Sequence, residues 1–292
     1  MGKYLLSSIF IASLFFGCKQ KDITPSWLKI NEFSLTTNEA LQGSNSHNIT
    51  NVWLYMDNKP LGVFELPCKI PVLDEGEHTF RLFPGVINNG ISNTRVRYPF
   101  YNEYEVNGTL VKNDTLELNP ATTYKSATNF AFIEGFEDAG ISFVKGPSSD
   151  TDFVFITSES HPHIVKYGEK CGGVFLNQSD SIFTVITESF MNLPKGGKDV
   201  YLEIDYRNDN ILGMGVLARY SDGSSSQHTP LIYMNAQAPG EEVWKKIYID
   251  LKEDVSFEVV AENFEIYFLS VIDTDDSTGE IYIDNVKVVH FE

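Results

Sequence analysis

From Trp27 onward, apolar and polar residues alternate over short runs separated by turn residues, the two-residue period of strands that bury one face. Val52, Leu54 and Met56 fall on one side of such a run and Trp53, Tyr55 and Asp57 on the other. Asp57-Asn58 then offers a turn and Leu61 to Leu66 a return strand. Asp74-Glu75-Gly76 gives a second turn before a strand from His78 to Phe83. A polar break at Asn119 to Thr123 and Ser126-Ala127-Thr128 precedes a second pattern, which starts near Phe130. There, nearly every apolar run has strand length: Val200 to Tyr206, Met214 to Tyr220, Pro230 to Asn235, Trp244 to Leu251, Phe264 to Ile272 and Ile281 to Val289. Turn clusters such as Pro194 to Gly197, Ser221 to Ser224 and Ala238 to Gly240 stand between them. No run holds a helical period beyond about two turns. The pattern predicts an all-β chain of two β-sandwich domains, residues 26–128 and 129–292.

The first residues depart from this pattern. Lys3 precedes an unbroken apolar or small-residue run, Tyr4 to Phe16 (YLLSSIFIASLFF), which stops on Gly17-Cys18. Such a run is too short to span a bilayer as a helix and has the length of a signal-peptide core. Gly17-Cys18, with Leu14 upstream, resembles the bacterial lipobox. The resemblance implies that residues 1–17 are removed, that the Cys18 thiol carries lipid with fatty acyl chains such as palmitate, and that residues 18–25 form a tether ending at Pro25. Each buried methylene contributes about 0.8 kcal/mol, so two or three acyl chains hold a protein on a membrane almost permanently. Lys19 stands where an Asp retains some Gram-negative lipoproteins at the inner membrane. The expected address is therefore the outer membrane, on its periplasmic or surface face.

Charge and composition narrow the partners. There are 40 acidic against 22 basic residues, a formal net charge of −18, and phosphate contacts need clustered Lys and Arg, so nucleic acid is excluded. Apolar residues at 42%, with 13% aromatic, suffice for packed cores and are unlike a disordered acidic tail. Beyond Cys18 only Cys68 and Cys171 remain, which a disulfide in an oxidising envelope or two buried thiols would both explain. The chain carries no phosphate-cradling Gly loop, no Gly-x-Ser-x-Gly elbow and no zinc-spaced Cys or His motif, so it reads as a non-enzyme. Glu159, His161 and His163 would share a strand face, but Pro162 between the imidazoles favours a loop. Arg95, Arg97, Tyr98, Phe100, Tyr101 and Tyr104 make an aromatic and basic stretch, read first as buried strand packing, with a partner-docking edge as the alternative.

The segment VWLYMDNKPLGVFELPCKIPVLDEGEHTFRLFPG, with its Asp-ended strand, Pro-containing step and Gly-Glu-His turn, resembles the small immunoglobulin-like envelope sandwiches of the PEGA type. That implies a spacer or interaction domain without catalytic residues. In the second half, Gly135-Phe136-Glu137-Asp138, the Gly-rich step Gly168 to Leu176, the Trp244-led strand and the closing Ile283-Asp284-Asn285-Val286 resemble the jelly rolls of carbohydrate-binding modules and galactose-binding-like domains. The resemblance implies a structural calcium ion held by Glu137 and Asp284, with Asp138 as a helper, because calcium accepts six to eight oxygens in flexible geometry. Strand alternation turns Val200, Leu202, Ile204 and Tyr206 inward and leaves Tyr201, Glu203 and Asp205 on the other face. Strands paired as in the family would bring Arg219, Tyr233, Asn235, Lys246, Tyr248 and Tyr267 to that face, where rings and carboxylates suit a sugar. Trp244 is assigned to the structure of its strand. The expected function is a membrane-anchored binding module for a glycan or another surface polymer. The alternative is a non-catalytic accessory subunit of an envelope protein assembly for uptake, secretion or motility.

Overall fold

The computed structural model describes residues 24–227, 232–272 and 278–292. Cys18, the apolar run before it and the acidic segment containing Asp273, Asp275 and Asp276 lie outside the described residues. Among those described, no helix is long and apolar enough to cross a membrane.

The first unit contains β1 (Ser26–Ile30), β2 (Ser34–Thr36), α1 (Glu39–Gln42), β3 (Asn51–Met56), β4 (Lys59–Glu65), β5 (Cys68–Val72), β6 (Gly76–Ile87), β7 (Arg95–Arg97), β8 (Tyr104–Leu110), β9 (Thr115–Leu118) and β10 (Ala121–Thr123). One face is the sheet β4-β3-β6-β7, with β8 also on β6; the other is β5-β1-β9, continued by β2 and β10. Asp57 and Asn58 take positive φ of 51° and 63°, the geometry a two-residue hairpin needs to match strand twist, and so join β3 to β4. Val52 and Leu54 are fully buried, while Trp53 and Tyr55 are half-exposed on the outer face, as the alternation predicts.

The second unit contains β11 (Thr128–Glu134), β12 (Phe143–Lys145), β13 (Val154–Thr157), β14 (Lys170–Asn177), β15 (Ile182–Thr187), β16 (Val200–Asn208), β17 (Leu212–Arg219), β18 (Ser225–Gln227), β19 (Ile232–Met234), β20 (Lys245–Asp250), α2 (Lys252–Phe257), β21 (Asn263–Val271) and β22 (Thr278–Phe291). One sheet runs β13-β14-β22-β16-β20, with β11 also on β22, and the other β12-β15-β21-β17-β18, with β19 also on β17. Successive hairpins thus nest between the two sheets, β14-β22-β16-β20 facing β15-β21-β17-β18, which is the strand order of a jelly roll. The described residues are nearly all β, and the helices among them are of four and six residues. Between the sheets lies an apolar core that includes Val200, Leu202 and Ile204 from β16, Ile281 and Ile283 from β22, and Phe264, Ile266 and Phe268 from β21. Fully burying one such side chain contributes roughly 1.5–3 kcal/mol, so this layer dominates the stability of the unit. Both Cys68 and Cys171 are free, and burial pushes the Cys171 thiol up to about 12.

A second core spans the two units. Tyr201, Tyr248 and Val289, on the outer face of the β14-β22-β16-β20 sheet, pack with Tyr98, Phe100, Tyr101 and Tyr124 of the first unit. The Tyr98 ring meets the Tyr201 and Tyr248 rings edge-on at 5.3 and 4.8 Å, and Phe100 lies 4.5 Å from Phe291. Backbone joins them too, with Asn89 N donating to Tyr248 O at 2.8 Å.

Candidate functional site

The first unit covers one outer face of the jelly roll and not the other, and this divides the residues expected to bind a ligand. On the first sheet, Tyr201, Glu203, Asp205 and Tyr248 do share one face, but the first unit covers it and none is more than 4% exposed. Glu203 accepts hydrogen bonds from Tyr98 at 2.7 Å and from Tyr124 at 2.8 and 2.9 Å. The Lys246 ammonium lies 3.4 Å from Glu203 and 3.6 Å from Asp205. Burial by itself would pull the Lys246 pKa down, but Asp205 and Glu203 outweigh it and hold it above the ordinary lysine value. Lys287 on the same face donates to Ser44 O at 2.6 Å, and burial draws its pKa down to about 8. Lys246 is paired by charge with Glu203 and Asp205 inside the second unit, though its Nζ and Asp205 Oδ2 make no hydrogen bond among the described residues. Tyr98, Tyr124 and the Ser44 carbonyl supply the contacts across the joint, and removing one member of such a buried set would leave a charge uncompensated. The expectation that Tyr201, Glu203, Asp205 and Tyr248 meet a ligand is corrected accordingly: Tyr201, Glu203 and Tyr248 pack against the first unit of their own chain, and Asp205 is buried beside Lys246.

Arg219, Tyr233 and Tyr267 belong to the second sheet, whose outer face the first unit does not cover. There Tyr233 is exposed and Arg219 half-buried, while Tyr267 is only 3% exposed, so the expectation that the Tyr267 ring stands open to a ligand is corrected. Alternation from the core residues Val185, Val216, Ala218, Ile266 and Phe268 turns Thr184, Ile186, Leu217, Arg219, Glu265 and Tyr267 outward. With Pro147 and Ser225, most of these line a groove of about 370 Å³, within the size range of small-molecule sites. The Tyr267 ring lies across β17 over Gly215, where any Cβ would overlap it, so the glycine lets an aromatic floor lie flat on the sheet. Burial and the neighbouring Tyr233 phenol raise the Tyr267 pKa, which keeps its hydroxyl a donor. Tyr233, 57% exposed, stands beside it on β19. Arg219 pairs with Glu265, and its guanidinium lies 5.9 Å from the ring of the exposed Phe190. Asn235 follows β19 on the surface and is not among the groove-lining residues. Sequence reading did not single out Thr184, Ile186, Leu217, Ser225 and Glu265, since each alone is an ordinary strand residue.

Glu137, Asp138 and Asp284 line one cavity of about 430 Å³, where β11 and β22 meet α1 of the first unit. Asp284 is 1% exposed and its Oδ2 has no hydrogen-bond partner. Its pKa is pushed up to about 8, first by burial and then by Asp205 and Glu137. Glu137 Oε1 accepts from Glu169 N and Lys170 N at 2.8 and 2.9 Å, and Gly168, at φ 60°, leaves room where a Cβ would overlap that oxygen. Lys170 Nζ donates to the carbonyls of Glu137 and Asp138 at 2.9 and 3.0 Å. An orphaned buried carboxylate oxygen with two further acidic residues, Glu137 and Asp138, on the same cavity fits a hard cation, although the Lys170 ammonium already takes the Glu137 and Asp138 carbonyls. Among the described residues no three acidic, His or Cys side chains converge at metal-holding distance, so any ion would draw on water and backbone oxygens as well.

The remaining residues singled out in the sequence are structural. His161 and His163 lie in an exposed turn after β13. The Trp244 indole donates to Ile164 O at 2.6 Å and packs beside Cys171 and Tyr282.

No family profile matches this chain, and no curated protein matches it in sequence. Among solved structures it is similar to a carbohydrate-binding module, CBM28, specific for non-crystalline cellulose (13% identity over 54% of this chain and 93% of that one, TM-score 0.38). It is also similar to a structure reported for the promiscuous specificity of carbohydrate-binding modules of the β-sandwich superfamily (13% identity, 82% and 84%, TM-score 0.38). A third is the family 11 module of Clostridium thermocellum in complex with a β-1,3-1,4-mixed-linked tetrasaccharide (11% identity, 55% and 94%, TM-score 0.35). At these scores the likenesses bear on neither the ligand nor the site.

Proposed function

We propose that the chain is a lipid-anchored envelope protein that binds a glycan on the outer face of the second jelly-roll sheet. The observation that carries this reading is the groove lined by Arg219 and Ser225, with the exposed Tyr233 ring beside it and the buried Tyr267 ring packed beneath as its support. Aromatic faces take the C–H surface of a sugar while fixed charges and amides take its hydroxyls. Cys18 carries the lipid, and the first sandwich is fused to the opposite sheet, away from the groove. A calcium ion near Glu137, Asp138 and Asp284 would neutralise the buried Asp284 carboxylate and fix β11 to β22. The chain acts by binding and has no catalytic residues of its own.

The test is a glycan array probed with the whole mature chain, since the first unit buries a face of the second. Hits that vanish in Tyr233→Ala with Arg219→Ala are expected; no hits on the array would overturn the reading. A second reading, a protein-contacting subunit of an envelope assembly, is favoured by one feature. Phe190, Phe257, Val259 and Val260 are 62–76% exposed, more apolar surface than a polar sugar site needs.

A further inference from the structure

The first sandwich presents a second aromatic surface that the glycan groove does not use. On the outer face of β3 and β6, Trp53 is the cross-strand partner of Phe83, and Tyr55 meets Phe83 edge-on at 5.5 Å. Trp53 lies over Gly85, where any Cβ would overlap its six-membered ring, so the indole rests flat on the sheet and turns its other side outward. The chain has only five arginines, and two of them, Arg81 and Arg97, lie over these rings, with Arg95 two residues before Arg97 on β7. Arg81 is paired with Glu103 at 2.7 Å and Glu105 at 3.4 Å, and Arg95 with Glu65 at 3.5 Å. Arg97 differs. Its guanidinium stacks 4.4 Å from the Phe83 centroid and 5.0 Å from that of Tyr55, donates to the Tyr55 hydroxyl, and has no carboxylate partner among the described residues.

The geometry points to a binding site on this face for a sugar polymer that bears carboxylates. A flat ring platform suits the C–H face of a pyranose, and a planar guanidinium held over that platform suits a carboxylate projecting from the same ring. Charge decides between a neutral and an acidic polymer. In a chain with 40 acidic residues, an arginine stacked on aromatics without a counter-ion is complementary to an anion, and the rest of the surface repels anions that cannot also stack. The aromatic and basic stretch therefore splits, with Tyr98, Phe100 and Tyr101 turned into the joint between the units and Arg95 and Arg97 turned out.

The test uses the mature chain with polygalacturonate and, as control, the same polymer with its carboxylates methyl-esterified. Trp fluorescence and affinity electrophoresis read the binding. Polygalacturonate is expected to bind, and the methyl ester about tenfold or more weaker. Trp53→Ala and Arg97→Ala are each expected to lose about tenfold in affinity, with Arg97→Lys intermediate because it keeps the charge and loses the planar fork. Variants that melt with the parent qualify for the comparison, and Arg97→Lys serves should Arg97→Ala not fold. Tyr233→Ala with Arg219→Ala, which removes the proposed groove, is expected to leave this binding unchanged, so the two sites fail separately. Equal binding of acid and ester, no binding of either, parent-like binding by Trp53→Ala and the Arg97 variants, or loss only in the groove variant would each overturn the inference.

Discussion

Asp284→Asn should stabilise the protein in chelator and destabilise it relative to the parent in calcium. The side chain is 1% exposed, and its pKa rises from 3.8 to about 8. A carboxyl whose folded pKa is raised gives stability that is fully present below pH 3.8 and lost as pH climbs toward 8. At pH 7 the gap to the unfolded value is roughly three pKa units, which at 1.36 kcal/mol each is on the order of 4 kcal/mol, an upper bound for a group that can relax. Asparagine stays neutral at every pH, and its Oδ1 can still accept the Asn285 N–H that Asp284 Oδ1 accepts at 2.7 Å. Calcium reverses the order, because the ion replaces the proton on the parent and has no carboxylate to bind in the variant. The same competition should weaken calcium about tenfold for each pH unit below 8, since Asp284 must first lose its proton. Thermal melts of both proteins at pH 7, with chelator and with millimolar calcium, measure this, with a shift of about 2–4 °C per kcal/mol. Identical melts in all four conditions, or a variant that melts lower than the parent in chelator, would refute the reasoning.

Three further changes probe the rest of the fold. Tyr124→Phe removes the donor that reaches both oxygens of Glu203 and should cost about 1.5–3 kcal/mol in urea unfolding, with both units still melting together; a loss under about 0.5 kcal/mol would show that the joint does not depend on it. Gly168→Ala imposes a side chain at φ 60° and drives a Cβ into the Glu137 carboxylate, so it should lose roughly 1–3 kcal/mol and any calcium response; a parent-like melt would contradict the placement of Glu137. The hydrogen bond from His78 to Asp57, at 2.7 Å, raises the His78 pKa above 6.5 against the opposing pull of burial. Its contribution is complete below 6.5 and fades as pH rises through the higher folded value, so melts between pH 5 and 9 should show a step that His78→Gln lacks.

The strands were legible because one-sided burial leaves a period of two, as at Val52 and Leu54 against Trp53 and Tyr55. The same rule misled at β16. Tyr201, Glu203 and Asp205 alternate with Val200, Leu202 and Ile204 as if they faced water, yet all six are buried. Alternation reports that the two faces differ in polarity and carries no information on whether the polar one meets solvent or a second domain. Phenols from Tyr98 and Tyr124 stand in for water at Glu203, and no local signal links residues a hundred positions apart. The groove was half legible. Arg219, Tyr233 and Tyr267 carry visible chemistry, but Gly215 matters only through the ring above it, and Thr184 and Leu217 only through strand pairing.

Titration calorimetry of the strongest glycan from an array, into the mature chain and into Tyr233→Ala with Arg219→Ala, tests the central claim most directly. Saturable binding with about one site per chain, weakened at least tenfold in the variant while its melting temperature holds, is the expected result. Equal affinity for the parent and the variant would contradict it and move the sugar off the second sheet.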